Sequence, residues 1–299
     1  MNRVEFKTVA VANHGEAMGA ETISKNGHSP ENLMGRGHCL KFVAALFAAG
    51  IVLFGCGKDD DDGGSDNGVV KLLEIITYSD GDFDKYEYDA QNRITKISWY
   101  DKKGAAKPRD TRTFTYNGDD LVKVERSEED GQYESTYEFA KNGNKVTITW
   151  KDKNQPNDAS ISTVDLNSNG YPAKYSSSED YYWREDIYEY QGSNLTKISY
   201  SSEETYGGET HTYSGESYYK YDNKNSPSIS CKTPKWYLIW YWEEDFGSQN
   251  NVTEVTWKND SDKKTLTYVY DDDGYPTKCT IKYSDDDKLY TREYTYITK

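Results

Sequence analysis

Histidine and methionine almost vanish from this 299-residue chain after Cys56, where His211 is the one remaining histidine and no methionine is left. A Ser-His-Asp triad would have to run through His211. That residue stands in Glu209-Thr-His-Thr-Tyr213 beside Gly207-Gly208, with no nucleophile-elbow pattern nearby, and reads as a surface loop histidine. Zinc lacks ligands, since Cys231, Cys279 and His211 follow no ligand spacing. These two cysteines are also the only thiols after Cys56. In a chain of consecutive hairpins they fall about four strands, roughly 19 Å, apart, beyond disulfide reach, so two buried free thiols are expected. Positive charge is scarce as well: 36 Lys plus Arg face 51 Asp plus Glu, for a net charge of −15. Only five basic and four acidic residues precede Cys56, so the deficit lies in residues 57–299. Nucleic acid and anionic membrane surfaces, which need a basic patch, are poor partners for it. No apolar run is long enough for a membrane-spanning helix. No enzyme, metal or cofactor is expected.

What remains is two dissimilar pieces. No Tyr or Trp occurs before Cys56, although the chain holds 28 Tyr and seven Trp. That aromatic content argues against disorder despite the low mean hydropathy of −0.97. The first piece ends as an export signal: Arg36, His38 and Lys41 precede the apolar stretch Phe42 to Phe54, then Gly55-Cys56. Leu53-Phe54-Gly55-Cys56 resembles the lipobox of bacterial lipoproteins, and that resemblance implies lipidation of Cys56 and removal of residues 34–55. Translation is expected to begin at Met34, with 1–33 an upstream extension of mixed charge outside the protein. Residues 56–70 form an acidic tether, Gly57-Lys58-Asp59-Asp60-Asp61-Asp62. Its Lys-Asp-Asp resembles the surface-export signal of Bacteroidetes lipoproteins, which implies an outer-membrane, cell-surface location; a periplasm-facing attachment is the alternative.

From residue 71 to 299 a hairpin unit repeats, as in Asp186 to Tyr200. Tyr188 and Tyr190 share one face of an incoming strand, and Thr196, Ile198 and Tyr200 share one face of an outgoing one. Incoming strands read Tyr86-Glu-Tyr88, Phe114-Thr-Tyr116, Tyr188-Glu-Tyr190, Tyr219-Lys-Tyr221, Tyr268-Val-Tyr270 and Tyr294-Thr-Tyr296. Outgoing strands read Thr95-Lys96-Ile97, Val122-Lys123-Val124, Thr196-Lys197-Ile198, Pro227-Ser228-Ile229 and Thr277-Lys278-Cys279, among others. The period of about 25 residues holds two strands and two connections. Gly, Asn and Asp mark the turns. About eighteen strands and no helix are expected, as one all-β antiparallel meander, barrel-like or a flattened barrel; an open spiral sheet is the alternative.

The unit Tyr86-Glu-Tyr88-Asp89 to Arg93-Ile94-Thr95-Lys96-Ile97, behind a lipobox, resembles Bacteroidetes lipoproteins carrying a porin-like domain of unknown function. More loosely it resembles the Tyr-Asp repeats of bacterial toxin shells. The resemblance implies a fold and no activity. A membrane-spanning barrel would need a nearly uncharged outer band, whereas one strand face here carries Lys, Glu, Thr and Ser, so a water-soluble, tethered β-domain is expected. The acidic runs Asp80-Gly-Asp82-Phe-Asp84, Asp271-Asp272-Asp273 and Asp285-Asp286-Asp287 read as turn and solubility chemistry; the first has Gln91 where an EF-hand loop needs Glu.

The rhythm breaks at Pro234-Lys-Trp236-Tyr-Leu-Ile-Trp240-Tyr-Trp242. As a strand, both its faces are apolar, which suits either a buried core strand or an aromatic platform for sugar rings. Trp236, Trp240 and Trp242, with Tyr181-Tyr182-Trp183 as a second cluster, are the candidate ligand-binding residues. The expected function is a non-catalytic, lipid-anchored envelope protein that binds a glycan or apolar ligand. The alternative is a structural or assembly component binding envelope proteins.

Overall fold

The computed structural model describes residues 70–102, 104–128, 134–243, 246–258 and 260–299, without the side chains of 156–158 and 206. The lipobox with Cys56, the start at Met34 and the acidic tether lie outside the described residues. Sixteen strands and one helix follow in chain order. They are β1 (Lys71–Tyr78), β2 (Phe83–Tyr88), β3 (Ile94–Tyr100), β4 (Asp110–Asn117), β5 (Asp120–Glu128), β6 (Glu134–Asn142), β7 (Lys145–Asp152) and β8 (Gln155–Leu166). Then come β9 (Pro172–Glu179), β10 (Tyr182–Gln191), β11 (Asn194–Tyr206), β12 (Glu209–Tyr221), α1 (Lys235–Trp242), β13 (Val252–Trp257), β14 (Lys263–Tyr270), β15 (Pro276–Tyr283) and β16 (Leu289–Thr298). Each strand pairs antiparallel with its sequence neighbours, and β16 returns to β1, so the sheet closes into a barrel. Val70 and Lys299 exchange backbone hydrogen bonds at the seam, where Lys71 Nζ also meets Asp271 Oδ2 at 2.7 Å.

The repeat now has a physical explanation. At Glu87/Tyr88, Thr115/Tyr116, Glu189/Tyr190, Lys220/Tyr221 and Val269/Tyr270 the register slips at the same step of the unit, a β-bulge. The tyrosine at or next to that step points inward, and its hydroxyl donates to a carbonyl near the start of the preceding strand. Tyr88 reaches Leu73 O, Tyr116 Ile94 O, Tyr190 Pro172 O, Tyr221 Leu195 O, Tyr268 Val252 O and Tyr296 Pro276 O, all at 2.6–2.9 Å. Tyrosine recurs because it combines apolar wall area with one hydroxyl that satisfies a carbonyl near the bulge. The aspartates act in turns: Asp89 Oδ1 accepts from the backbone N–H of Gln91 and Arg93, and Asp271 Oδ1 from those of Asp273 and Tyr275. Asp80 and Asp286 do the same for the residues two further on.

Inside and outside are distinct. The inward side chains of both strand types, including Tyr86, Ile97, Phe114, Val124, Ile148, Tyr188 and Ile281, form one continuous core. The outer face carries cross-strand pairs such as Lys151–Glu138, Lys197–Glu189, Lys220–Glu254 and Lys263–Glu254. A lipid-facing band would be nearly free of charge. This outer face carries charge on several strands.

Two expectations are corrected. There are sixteen strands, because the stretch 227–229 is no outgoing strand; it lies in an insert spanning 222–251 between β12 and β13. Within that insert the Trp-rich run is the eight-residue helix α1, so its alternate-residue parity has no meaning. A short run apolar on every side fits a buried helix as well as a buried strand, and the pattern alone does not separate them. Local chemistry decides: Pro234, with φ −49°, opens the turn, and the N–H groups of Tyr237 and Leu238 donate to its carbonyl. A sixteen-strand barrel is roughly 30 Å wide by strand spacing and tilt, more than its own side chains fill. The insert packs into it. Trp236, Tyr237, Leu238, Ile239 and Trp240 are buried against the inner wall, each contributing about 1.5–3 kcal/mol of apolar burial. Gly247 lets the returning chain pass over the helix, with φ +93° and no room for a Cβ, which would stand 2.5 Å from Ile239 Cγ1. Cys231 in the insert and Cys279 on β15 are buried thiols not joined in a disulfide, as expected, although Cys231 is not on a strand.

Candidate ligand site in the lumen

The insert is pinned at two opposite points of the wall. Thr233 Oγ1 accepts the N–H of Ile94 at 2.8 Å and lies 3.0 Å from the Tyr116 hydroxyl. Ser248 Oγ accepts the N–H of Leu195 at 3.3 Å and lies 3.1 Å from the Tyr221 hydroxyl. Ile94 and Leu195 are equivalent bulge positions on β3 and β11, eight strands apart in the ring of sixteen. Each hydroxyl thus satisfies a backbone donor beside a bulge. At two other equivalent positions the wall has Pro172 and Pro276, which carry no N–H. Asn250 adds bonds to Asn194, and the Asn251 side-chain amide donates to Asp222.

One layer further along the barrel the inward positions turn polar. Arg112, Arg126, Ser135 and Asp152 face one another across β4, β5, β6 and β7. Beyond them lie Asp84, Trp99, Asp110 and Glu128. Arg126 pairs with Asp110 and donates to Glu128 Oε1 at 3.2 Å. Arg112 lies 4.8 Å over the ring of Tyr241, the helix residue that faces this layer. Tyr78 donates to Asp84 Oδ2 at 2.7 Å. Burial raises the Asp84 carboxyl to about 6, with the Tyr78 hydroxyl and the Arg112 and Arg292 charges opposing the rise. On the far wall Arg184 donates to Asp186 Oδ1 at 2.8 Å in the interior.

Among the described residues six buried polar side-chain atoms have no partner: Arg112 Nε on β4, Asp186 Oδ2 and the Tyr188 hydroxyl on β10, the Tyr237 hydroxyl and Trp240 Nε1 on the helix, and Asn251 Oδ1 at the end of the insert. Such groups are costly to leave unpaired, and the three on Arg112, Tyr237 and Trp240, whose side chains surround the Tyr241 ring where the helix meets the arginine layer, mark this part of the lumen as the candidate site. Arg112, Tyr241 and Trp242 keep partial exposure there. Elsewhere, a cavity of about 20 Å³ lined by Ser226, Phe246, Asn251, Tyr268, Arg292 and Tyr294 has room for one water molecule and no organic ligand.

Comparison with solved structures finds remote likenesses. A porin-like protein from Bacteroides uniformis matches with a TM-score of 0.36 and 16% identity over 76% of this chain and 96% of its own. One from Bacteroides vulgatus matches with a TM-score of 0.38 and 13% identity over 76% and 99%. The TcdB2-TccC3 structure matches with a TM-score of 0.28 and 13% identity over 74% of this chain and 14% of its own. No protein-family model and no curated protein matches the chain. The barrel therefore rests on this chain's own strand pairing.

The aromatic candidates fall in different places. Trp236 and Trp240 are buried core, whereas Trp242 is half-buried, 4.8 Å from Tyr241 and 5.4 Å from Phe246 between ring centroids. Tyr181, 71% exposed, sits at a hairpin tip; Tyr182 points inward beside Arg184; Trp183, 39% exposed, stands on the outer wall. These three form no common platform. His211 is exposed on β12, not in a loop. The arginine layer escaped the sequence reading although a signal existed. Arg112, Arg126, Arg184 and Arg292 have the inward parity of Phe114, Val124, Tyr188 and Tyr294. Six arginines follow Cys56, and these four occupy the face that aliphatic and tyrosine side chains otherwise hold.

Proposed function

We propose that the chain is a non-catalytic ligand-binding barrel of the cell envelope, anchored by lipid at Cys56, which receives a glycan in its lumen. The observation that carries this reading is the half-exposed Tyr241 and Trp242 at the end of the insert helix, with Arg112 of the charged layer lying over the Tyr241 ring inside a closed wall. Aromatic faces suit the C–H face of a sugar ring, and fixed charged groups suit its hydroxyls. The outer wall, covered by Lys–Glu pairs, is compatible with a domain tethered outside the bilayer. A glycan array probed with the purified chain is expected to show selective binding, lost in Tyr241→Ala and Trp242→Ala variants that keep their near-ultraviolet circular dichroism. No binding on the array, or binding indifferent to both changes, rejects the reading. Metabolic labelling with an alkyne fatty acid, lost in Cys56→Ser, tests the anchor.

A second reading, an assembly role with envelope proteins, draws on one outer-wall strip. There Trp183 pairs across from Ser178, and Ile161 on β8 and Ile187 further along β10 are also exposed. In-cell photocross-linking from position 183 to a reproducible protein neighbour would favour it.

A further inference from the structure

Arg112 differs from four other arginines of the barrel. Arg93, Arg109, Arg126 and Arg184 each donate to a carboxylate within hydrogen-bonding distance. Arg112 does not. The carboxylate closest to it, Asp110 Oδ1, is 3.9 Å from Nε, too far for a hydrogen bond, and the other oxygen of Asp110 is held by Arg126. Its guanidinium is stacked on Tyr241, and its Nε is buried without an acceptor. Two more donors near the same ring are equally unsatisfied. The Tyr237 ring stacks on Tyr241 at 5.6 Å and 17°, and the Trp240 ring meets Tyr241 at 6.0 Å; the hydroxyl of the first and the indole N–H of the second have no partner. Both side chains are almost completely enclosed, at 0% and 3% exposure. These are three unsatisfied donors from two elements around one aromatic ring, and of them the planar guanidinium fork, on the partly exposed side chain, matches an oxyanion.

We infer that the lumen ligand is an acidic saccharide, whose carboxylate or sulfate group is bound by the Arg112 guanidinium while its ring lies against Trp242. This rests on the lumen being the ligand site and adds the charge of the ligand to that reading. The local charge permits it. Asp110 is already neutralised by Arg126, and Asp84, the other carboxyl facing Arg112, is engaged by the Tyr78 hydroxyl. A guanidinium already held against an aromatic ring loses little further freedom on binding, so the anion gains most of the charge-assisted bond.

The test uses the purified full chain with three probes, D-glucuronate, D-glucose and inorganic sulfate, followed by calorimetry and by the tryptophan indole N–H resonances. The Trp240 resonance is assigned with Trp240→Phe. Glucuronate is expected to bind about tenfold or more tightly than glucose, to shift the Trp240 indole signal, and to lose about tenfold in affinity in both Arg112→Gln and Arg112→Lys. Sulfate is expected to shift the same signal more weakly. Near-ultraviolet circular dichroism shows that the variants are folded, and the indole shift in the unmodified chain needs no variant. Equal affinity for glucose and glucuronate, unchanged by Arg112→Gln, overturns the oxyanion site and leaves the lumen site standing. The same holds if all three probes are inert while a neutral glycan on the array binds. Sulfate binding with glucuronate inert overturns the saccharide part. Silence in every arm and on the array overturns both readings.

Discussion

The barrel wall and the insert that packs into it solve the same problem, burying polar backbone inside a protein, in opposite ways. The wall does it by repetition: a bulge, a turn aspartate and a tyrosine whose hydroxyl donates to a nearby carbonyl, copied around the ring. The insert occurs once, and fits by pinning Thr233 and Ser248 to opposite sides of the wall while packing an all-apolar helix between them. Buried polar atoms without partners occur on both, on Arg112, Asp186 and Tyr188 of the wall and on Tyr237, Trp240 and Asn251 of the insert. Repetition leaves little room for a specific site. The departure from it supplies one.

If this contrast is right, the largest effect belongs to the middle of the helix. Leu238 is fully buried, and Leu238→Ala should cost about 2–5 kcal/mol, read by urea unfolding, with loss of the near-ultraviolet signal of the packed tryptophans. A cost below about 1 kcal/mol would mean that the insert is dispensable to the wall. The pins come next. Thr233→Val and Ser248→Ala each strand a buried N–H, that of Ile94 or Leu195, and should each cost about 1–3 kcal/mol. Because the pins stand on opposite walls and share no partner, their effects should add. Strong non-additivity would show that the insert leaves as a unit once either end is freed.

The lumen's charge layer gives a pH-dependent test. Burial holds the Asp84 carboxyl at about 6 in the folded barrel, above its ordinary value of 3.8. The folded state therefore binds the proton more tightly than the unfolded one. That contribution is fully present below pH about 4 and is lost as pH rises through about 6. Asp84→Asn, which keeps an acceptor for Tyr78, should flatten this part of the stability profile. Carboxyl carbon-13 titration of the unmodified chain should place the Asp84 midpoint near 6; a midpoint at the ordinary value would mean that this layer is fully hydrated.

How much of this is legible in the sequence follows the same division. The wall is: Tyr188 and Tyr190 two apart, Ile198 across the turn and the Asn and Gly between them specify a hairpin, and the period of the units specifies a meander. Closure is not, because nothing local to Lys71 or Lys299 says that their strands pair. The insert resists for a different reason. Seven consecutive residues from Trp236 to Trp242 without a polar side are equally compatible with period 2 and period 3.6, and the choice is made by the lumen they must fill. The arginine layer lies between these cases. Its parity is written in the sequence, but a charged residue on an apolar face gains its meaning only once the opposite wall is known.

The smallest effect should come from the outer wall. Lys151 Nζ and Glu138 Oε2 are 2.7 Å apart, with side chains 39% and 49% exposed. In water the attraction is weak, both side chains give up rotamer freedom to meet, and the contribution is about 0–1 kcal/mol. Lys151→Ala should therefore barely move the urea midpoint, and added salt should change it little. The interior pair Arg184–Asp186 has the same charges at a similar distance, 2.8 Å, with side chains only 10% and 1% exposed. Removing Arg184 there leaves a carboxylate in the interior without compensation, at a cost of about 3–5 kcal/mol. If Lys151→Ala proved as costly as Arg184→Ala, the outer wall could not be the solvated surface that its charges indicate, and the inside-versus-outside assignment of the barrel would have to be reversed.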